Sequence, residues 1–377
     1  MTVLRDSPVF IAGHPKSGTS LLRSVLESHP ELIAYPEETS FFRRYLPKAT
    51  GKSLEEKLAL SDQFLTHIFE WNQSNPPAHQ AGFPDRDYSN IPVAEVRQAV
   101  RQFVDECFRH DGDMLSAAIL AFGKATGKIT SAAHYWVEKT PYNEFYAAQI
   151  FAWWPQARII HIVRDPRDNF ASYHRKHTNW SPEIFALNWA RSTQAGLDNR
   201  ERYGDNHVWL LRYEDLVSSP EEKQRELCQF LNIADLPSQR SLARGGKPWQ
   251  GNSMFGDQFN AISSAPVGRW VETLTEEEAA TVEVITGPLM QRLGYAVSKP
   301  INSLDKQSRQ RVIRRLFSLS LASKSPQERK VIASAADLLS HSPQIKTAEN
   351  TSIATIPARW QLFVKLSILW FKEIFSK

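Results

Sequence analysis

Residues 9–20, with the sequence VFIAGHPKSGTS, decide the fold of this 377-residue chain. Residues 9–12 have the composition of a short buried strand, and a loop rich in glycine, proline and serine follows. A helix is predicted to begin near Gly18, so the loop amides and the positive end of the helix dipole converge on one point. This strand–loop–helix arrangement predicts a binding site for an anion.

The position of the lysine distinguishes this loop from that of nucleotide-hydrolysing enzymes. A P-loop of that kind reads G-x-x-x-x-G-K-[ST], with the lysine directly after the second glycine. Gly13 and Gly18 keep this spacing, but Thr19 occupies the lysine position and Lys16 lies inside the loop. The sequence therefore predicts a phosphate-binding loop whose positive charge has moved.

Composition and charge exclude several functional classes. The hydrophobic content of 42% and the aromatic content of 11% suffice for a substantial core and argue against disorder. A net charge of +4 suits an anionic ligand but is too small to favour nucleic-acid binding. The two cysteines, Cys107 and Cys228, offer no disulfide framework. We therefore expect both in the core of a protein from a reducing compartment.

Strand and helix signals alternate along the chain, which favours a parallel sheet with helical crossovers. We predict a three-layer α/β, P-loop-like fold with a central, mainly parallel sheet flanked by helices. Residues 43–134, with a helix expected over 54–71, are predicted to form a helical insertion that walls the site. The main domain is predicted over 1–298, and a helical C-terminal extension over 299–377. The candidate strands are 9–12, 32–35, 136–138, 158–163 and 208–211.

Two segments supply groups that anion binding alone does not need. Glu37 and Glu38 follow the second candidate strand, where a carboxylate is suited to deprotonate an incoming hydroxyl. Lys139 follows the third candidate strand, so its side chain can reach the crevice at the carboxyl ends of the strands. Taken singly, the glutamates are equally consistent with an exposed turn, and Lys139 with an ordinary surface lysine.

A further cluster follows the fourth candidate strand. Arg164 comes directly after it, and Ser172 lies about two helical turns later; both side chains can contact one phosphate. Pairing of Asp165 or Asp168 with Arg167 is a simpler account of the other charges in this cluster.

Together these segments resemble the sulfotransferases that use 3′-phosphoadenylyl sulfate (PAPS). The resemblance rests on the loop 15–20 and on Arg164 and Ser172, and it extends from residue 9 to about 295. In that family the first loop binds the 5′-phosphosulfate, and the arginine and serine bind the 3′-phosphate. The resemblance implies PAPS as the donor and 3′,5′-bisphosphoadenosine (PAP) as the product. It implies these cofactor-binding residues: Lys16, Ser17, Gly18, Thr19, Ser20, Arg164, Ser172, Tyr213 and Arg269.

Two of these residues lie in shorter matches. Tyr213, in the Arg-Tyr-Glu-Asp-Leu segment 212–216, matches the tyrosine on the adenine side in that family. Arg269, in the Gly-Arg-Trp segment 268–270, matches an element that closes over the cofactor. Either match would be weak without the loop and the arginine–serine pair.

Within the family, the chain resembles the glycan- and tyrosylprotein-type enzymes more than the cytosolic type. The cytosolic type has a histidine base in a Lys-Thr-His stretch, whereas Thr140-Pro141 follows Lys139 here. The glycan and tyrosylprotein types carry a glutamate base shortly after the first helix. The resemblance therefore implies that Glu38 is the base, with Glu37 less favoured, and that Lys139 is the family's second lysine.

The implied reaction is in-line transfer of a sulfuryl group to an acceptor hydroxyl or amine, with Glu38, Lys16 and Lys139 as catalytic residues. It requires no metal, and His174 and His177 are not spaced as ligands. A glycan or glycolipid is the favoured acceptor, with a tyrosine or a small molecule as alternatives. Two alternatives stay open: a P-loop kinase or NTPase, and a non-catalytic binding protein that retains the fold.

The termini bear on location. The N-terminus lacks the apolar run of a signal peptide, so we expect a cytoplasmic protein. The tail 359–377 has a wide apolar face and a narrow polar stripe. It is predicted to pack on its own domain or on a second subunit of a homo-oligomer, or to make a peripheral membrane contact.

Overall fold

The computed structural model describes residues 2–71, 86–237, 241–249, 251, 253–257, 261–297 and 306–322. The chain forms two compact units. The first draws on residues 1–163 and 199–264, and the second on residues 164–198 and 265–377. The predicted boundary between 298 and 299 and the tail 359–377 both lie outside the described residues, so these two statements stay predictions.

A five-stranded parallel sheet with the order β2-β3-β1-β4-β5 forms the centre of the first unit. All five candidate strands are present, so the α/β fold with its mainly parallel sheet is confirmed. Strand β1 lies in the middle of the sheet, so the loop that follows it lies at the centre of the edge formed by the carboxyl ends of the strands. A short antiparallel hairpin, β6–β7, also belongs to this unit. The strands are β1 Pro8–Ala12, β2 Leu32–Ala34, β3 Tyr135–Lys139, β4 Arg158–Val163, β5 Val208–Arg212, β6 Ala243–Arg244 and β7 Lys247–Pro248.

Two buried clusters cover the two faces of the sheet. Phe10 and Ala12 belong to one cluster, and Val9 and Ile11 belong to the other. Because successive side chains of a strand point to opposite faces, helices must cover the sheet on both sides. This explains why β1 is apolar throughout rather than alternating, and it gives the three predicted layers.

The described part of the segment 43–134 is helical, but the predicted helix over 54–71 is wrong at its end. That helix ends at Phe64, because the amides of Leu65 and Thr66 both donate to the Ser61 carbonyl, at 2.8 and 3.1 Å. A separate 3₁₀ turn, His67–Glu70, follows. The α-helices are α1 Thr2–Arg5, α2 Thr19–Glu27, α3 Leu46–Ala49, α4 Leu54–Phe64, α5 Val93–Glu106, α6 Gly112–Ala125, α7 Ala147–Trp153, α8 Pro166–His174, α9 Pro182–Tyr203, α10 Tyr213–Ser218, α11 Pro220–Leu231, α12 Trp270–Thr273, α13 Glu276–Arg292 and α14 Lys306–Ala322.

The second unit is helical where it is described. Helix α13 begins with a capping box, in which the Thr275 hydroxyl accepts the Glu278 amide at 3.2 Å and the Glu278 carboxylate accepts the Thr275 amide at 2.9 Å. The Ser308 hydroxyl donates to Glu277 at 3.0 Å and so joins α14 to α13.

The two cysteines are less buried than the sequence predicts. Cys107 and Cys228 are free thiols, but both are half-buried rather than enclosed in the core.

Over the described ranges, no helix combines the length and the apolar character needed to cross a membrane.

Candidate active site

The loop after β1 begins at Gly13, a position where any other residue would force the backbone to move. Gly13 has a φ of +131°, and a Cβ atom there would lie 2.3 Å from the Ile162 carbonyl oxygen of β4. The Gly13 amide donates to a carboxylate oxygen of Glu144 at 2.9 Å, and the Gly13 carbonyl accepts the Tyr142 amide at 3.2 Å. The start of the loop is therefore fixed by close packing on one side and hydrogen bonds on the other.

The second glycine of the loop sets the start of α2. Gly18 has a φ of +100°, and its carbonyl accepts the Leu22 amide at 3.0 Å. A Cβ atom on Gly18 would lie 2.5 Å from Cδ2 of Tyr213. The structure thus brings Tyr213 against the loop, with only 7% of this residue exposed.

The remaining loop residues face different surroundings. Ser17 and Thr19 are buried, whereas Lys16 and Ser20 are partly exposed. The loop turns back on itself at Ser17, whose amide donates to the His14 carbonyl at 3.1 Å. The partly exposed lysine and the start of a helix lie at one place, which is an environment that stabilises an anion.

Strained backbone marks three positions around this loop. Lys16, Ser40 and Tyr142 have φ values of +68°, +49° and +74°. These values lie in the left-handed region, which is unfavourable for residues other than glycine. The Tyr142 ring makes an edge contact with the His14 ring at a centroid distance of 5.6 Å. Each strained residue follows or belongs to a segment that carries a candidate catalytic residue.

Lys139 and Glu38 come together at the carboxyl end of β3. Lys139 pairs in register with Ile11 of β1, just before the loop. Its Nζ donates to Oε1 of Glu38 at 2.6 Å; the lysine side chain is 5% exposed and that of the glutamate 43%. Lys139 is therefore a buried ion-pair partner of the candidate base, not an ordinary surface lysine.

The charges around Glu38 determine its protonation. Burial disfavours the carboxylate, but the charge and hydrogen bond of Lys139, helped by Arg43 and Arg86, hold the pKa of Glu38 below its usual value of 4.5. Glu38 is therefore ionised at neutral pH and able to accept a proton.

The neighbouring glutamate has a different environment. The Tyr88 hydroxyl donates to Oε1 of Glu37 at 2.9 Å, and Arg86 lies 3.4 Å from the same oxygen. The Glu37 side chain is 10% exposed. Both the contact with Lys139 and the greater exposure distinguish Glu38 as the group accessible to a substrate.

Sequence reasoning did not find two buried carboxylates that support the site. Glu144 accepts the Gly13 amide, as described above, and Glu138 accepts hydrogen bonds from Thr39 and Thr140. An acidic residue between the apolar part of β3 and Lys139 was the one available signal for Glu138.

The candidates for the 3′-phosphate lie in the second unit. Arg164 and Ser172 are buried, at 7% and 8% exposure. An Arg164 Nη2 donates to the Pro266 carbonyl at 2.8 Å, and its own carbonyl accepts the Trp189 indole N–H at 3.0 Å. Helix α8, which carries Ser172, is capped by Asp165, whose side chain accepts the Arg167 amide at 2.9 Å.

The Gly-Arg-Trp segment is held by Asp168. This carboxylate accepts the Gly268 amide at 2.7 Å and the Trp270 amide at 2.9 Å, on either side of Arg269. Burial raises the pKa of Asp168 although these bonds and the charge of Arg164 oppose the shift.

The simpler pairing expected for Arg167, with Asp165 or Asp168, is confirmed for Asp165. Its guanidinium donates to Asp165 at 2.6 Å and to Glu283 at 2.6 Å, and lies 4.3 Å from the Trp270 ring centroid. Asp168 binds backbone amides instead.

The two histidines near α8 make local contacts. A ring nitrogen of His174 lies 3.1 Å from the Trp180 carbonyl oxygen, and the His177 ring stacks on Tyr173 at 4.3 Å. Within the described ranges, no group of three His, Cys, Asp or Glu side chains is placed to hold a metal ion.

Comparison with known proteins identifies the family. The model of the sulfotransferase family matches residues 8–237. Protein-tyrosine sulfotransferase A of Caenorhabditis elegans is 26% identical over 318 residues, which cover 77% of this chain and 68% of that protein. Omega-hydroxy-beta-dihydromenaquinone-9 sulfotransferase Stf3 of Mycobacterium tuberculosis is 25% identical over 327 residues, which cover 78% and 76%. A solved sulfotransferase domain from the curacin biosynthetic pathway is similar with a TM-score of 0.48 and 19% identity, over 77% of this chain and 98% of that one.

The family match spans more than half of the chain and includes the loop, Glu38, Lys139, Arg164 and Tyr213. This result decides between the sulfotransferase and the P-loop kinase or NTPase that the loop alone left open. The chain is therefore a sulfotransferase and belongs to the sulfotransferase family.

Proposed function

We propose that the protein transfers a sulfuryl group from PAPS to an acceptor hydroxyl, with Glu38 as the general base. The observation that carries this proposal is the Glu38–Lys139 pair at the end of β3, the strand next to the one that leads into the loop. An ionised, partly exposed carboxylate beside a buried ammonium has the chemistry that hydroxyl activation next to an anionic donor requires.

The loop residues fit the 5′-phosphosulfate. At Gly18 the Tyr213 ring packs where a Cβ atom would lie, and the backbone there opens helix α2, whose first amides can bind a phosphate. Lys16 and the amides and hydroxyls of Ser17, Gly18, Thr19 and Ser20 would stabilise the charge that develops on the leaving phosphate.

The resemblance to PAPS-dependent enzymes supports a role in binding the 3′-phosphate for residues of the second unit. Arg164 and Ser172 would hold the 3′-phosphate, and Arg269 would contribute to the same end of the nucleotide. Asp168 supports this assignment because it fixes the amides on both sides of Arg269. Tyr213, packed on Gly18, would contact the adenine.

PAPS, when bound, supplies an activated sulfuryl group and a stable phosphate leaving group. Glu38 takes the proton of the acceptor hydroxyl as the new oxygen–sulfur bond forms and the bond to the leaving phosphate breaks. Lys139, held next to Glu38, would neutralise charge on the sulfuryl oxygens. Transfer then depends on positioning and charge stabilisation by these side chains.

The names of the relatives favour a hydroxyl acceptor over an amine. One relative is named for protein tyrosine, which carries a phenol, and the other for an omega-hydroxylated menaquinone. We therefore propose a phenol or an alcohol, and the glycan or glycolipid favoured by the sequence remains within that class. A cytoplasmic location remains part of the proposal.

The test is an acceptor panel with [³⁵S]PAPS: a tyrosyl peptide, a long-chain isoprenoid alcohol, a glycolipid and p-nitrophenol. We expect labelled product with at least one acceptor in the absence of divalent metal, and loss of that product in Lys16→Ala. Failure to bind PAP in calorimetry would instead support a binding protein that has kept the fold without the activity.

A further inference from the structure

Glu138 is a buried carboxylate between the two catalytic segments. It precedes Lys139 in β3 and is 1% exposed. Its Oε1 accepts the hydroxyls of Thr39 at 2.8 Å and Thr140 at 2.6 Å, together with the Thr39 amide at 3.3 Å. Its Oε2 accepts the Asn143 side-chain amide at 2.6 Å.

The two threonine hydroxyls connect this carboxylate to the turn after Glu38 through hydrogen bonds. The Thr140 hydroxyl accepts the Ser40 amide at 3.1 Å, and the Thr39 hydroxyl accepts the Phe41 amide at 3.2 Å. A hydroxyl has one proton, so donation to Glu138 leaves its lone pairs for these amides. The direction of both hydrogen-bond chains is therefore set by the carboxylate.

The turn held in this way is strained. Ser40 has a φ of +49°, a conformation that costs on the order of 1–3 kcal/mol for a residue with a side chain. It persists only where surrounding contacts enforce it. Here those contacts lead back to Glu138, which also binds the residue that follows Lys139.

Four hydrogen-bond donors surround Glu138, so this position needs a side chain with two acceptor oxygens. Burial raises the pKa of Glu138 despite the opposing hydrogen bonds from Thr140, Thr39 and Asn143. A leucine would avoid the desolvation cost, but it would leave all these donors without an acceptor. A glutamine could serve the threonines, but in the present orientation of Asn143 two NH₂ groups would face each other, so the Asn143 amide would have to turn over.

We infer that Glu138 is a positioning residue for sulfuryl transfer, which holds the Glu38 carboxylate against the Lys139 ammonium through the hydroxyls of Thr39 and Thr140. The inference rests on the proposed function, since it takes Glu38 as the base. Glu138 is enclosed and acts through its neighbours rather than on the substrate.

The experiment compares Glu138→Gln with the double variant Glu138→Gln/Asn143→Asp. The double variant keeps one carboxylate in the cluster and restores a donor–acceptor contact between positions 138 and 143. Turnover is measured with [³⁵S]PAPS and the panel acceptor that the wild type uses fastest. Amide hydrogen exchange of residues 39–41 is measured on the same proteins.

For Glu138→Gln we expect kcat to fall about 10- to 100-fold, the size expected for a small misplacement of a reacting group. The KM for PAPS is expected to change less than about 3-fold, because the loop is untouched, and the amides of residues 39–41 are expected to exchange faster. In the double variant, kcat and exchange are both expected to return to within about 3-fold of the wild type.

Thr39→Val gives a second measure, since it keeps the shape of the side chain and removes only the hydroxyl that joins Glu138 to the Phe41 amide. It is expected to lower kcat in the same direction, whereas Thr50→Val, which removes a hydroxyl bonded only to the Leu46 carbonyl, should not.

Normal kcat in Glu138→Gln, with faster exchange at residues 39–41, would overturn the inference and leave Glu138 as a purely structural residue. Equal losses in the single and double variants would overturn it as well. A wild-type protein that transfers no sulfuryl group would overturn the proposed function and this inference together.

Discussion

The Nζ of Lys139 lies 2.6 Å from Oε1 of Glu38, although the two residues are 101 positions apart in the chain. The contact joins the end of β3 to the segment that follows β2, and these two strands are neighbours in the sheet. The sheet order therefore brings two charged residues that are distant in sequence together as one ion pair. Because Glu38 remains 43% exposed, an acceptor can approach the carboxylate without breaking the pair.

Glu38→Gln is expected to lower kcat roughly 10²- to 10⁴-fold, because the amide cannot take up the acceptor proton. The dissociation constant for PAP should not change, since the loop is intact. Turnover of [³⁵S]PAPS and PAP calorimetry measure the two quantities. Glu37→Gln is the matched variant and is expected to keep its kcat, because Glu37 binds Tyr88 and Arg86. If only Glu37→Gln were inactive, the base would be Glu37.

Lys139→Met is expected to raise the pKa of Glu38, since the lysine's charge and hydrogen bond both lower it. In the proposed mechanism ionised Glu38 is the active form, so activity is expected to fall as the pH falls through the pKa of Glu38. The acid limb of kcat/KM should therefore move to higher pH in Lys139→Met. Arg43→Met removes a weaker contribution and is expected to shift the limb less, in the same direction. An acid limb at the wild-type pH in Lys139→Met would contradict the pairing seen here.

Arg164→Met tests the proposal that Arg164 binds the 3′-phosphate. We expect its affinity for PAP to fall about 10- to 100-fold, the value of a charge-assisted hydrogen bond. Its affinity for AMP, which lacks the 3′-phosphate, should change little. The exposed Arg200, paired with Asp205, provides the control variant Arg200→Met, for which both affinities should stay at wild-type values. Equal losses for PAP and AMP would show that Arg164 does not read the 3′-phosphate.

Gly18→Ala and Gly204→Ala form a pair that separates steric contact from backbone strain. Both glycines have positive φ, +100° and +85°, so both variants incur strain of about 1–2 kcal/mol. Only at Gly18 does the added methyl meet a neighbour, the Tyr213 ring, whereas nothing lies within 4 Å at Gly204. Gly18→Ala should therefore have the lower Tm and, in addition, reduced PAP affinity. Equal Tm values would mean that the Tyr213 contact is unimportant.

The strands could be predicted from sequence because each one is built on a short run of apolar residues, and charged residues stand mainly at the strand ends. Full burial on both faces imposes that pattern, and it can be recognised in any one segment alone. The loop was predictable for a similar reason, since glycine is required where Gly13 meets Ile162 and Gly18 meets Tyr213.

Contacts between distant segments could not be predicted in the same way. The end of α4 depends on how Leu65 and Thr66 close the helix at Ser61, and helical periodicity continues past that point. The role of Glu138 depends on Thr39, which lies 99 residues away in the chain. A single sequence shows which residues carry charge. The partner of each charged residue is known only from the folded structure, in which the pairing of the strands brings distant residues together.

The strained conformations of Ser40 and Tyr142 have a practical consequence for anyone who engineers this enzyme. Glycine adopts φ values of +49° and +74° without a steric clash, so Ser40→Gly and Tyr142→Gly relieve local strain, although Tyr142→Gly also loses the ring contact with His14. They also free the two chain segments that follow Glu38 and Lys139. Relief of backbone strain and tight positioning of the Glu38–Lys139 pair are thus opposed at these two positions, so a variant with a relaxed backbone there is not expected to be a faster catalyst.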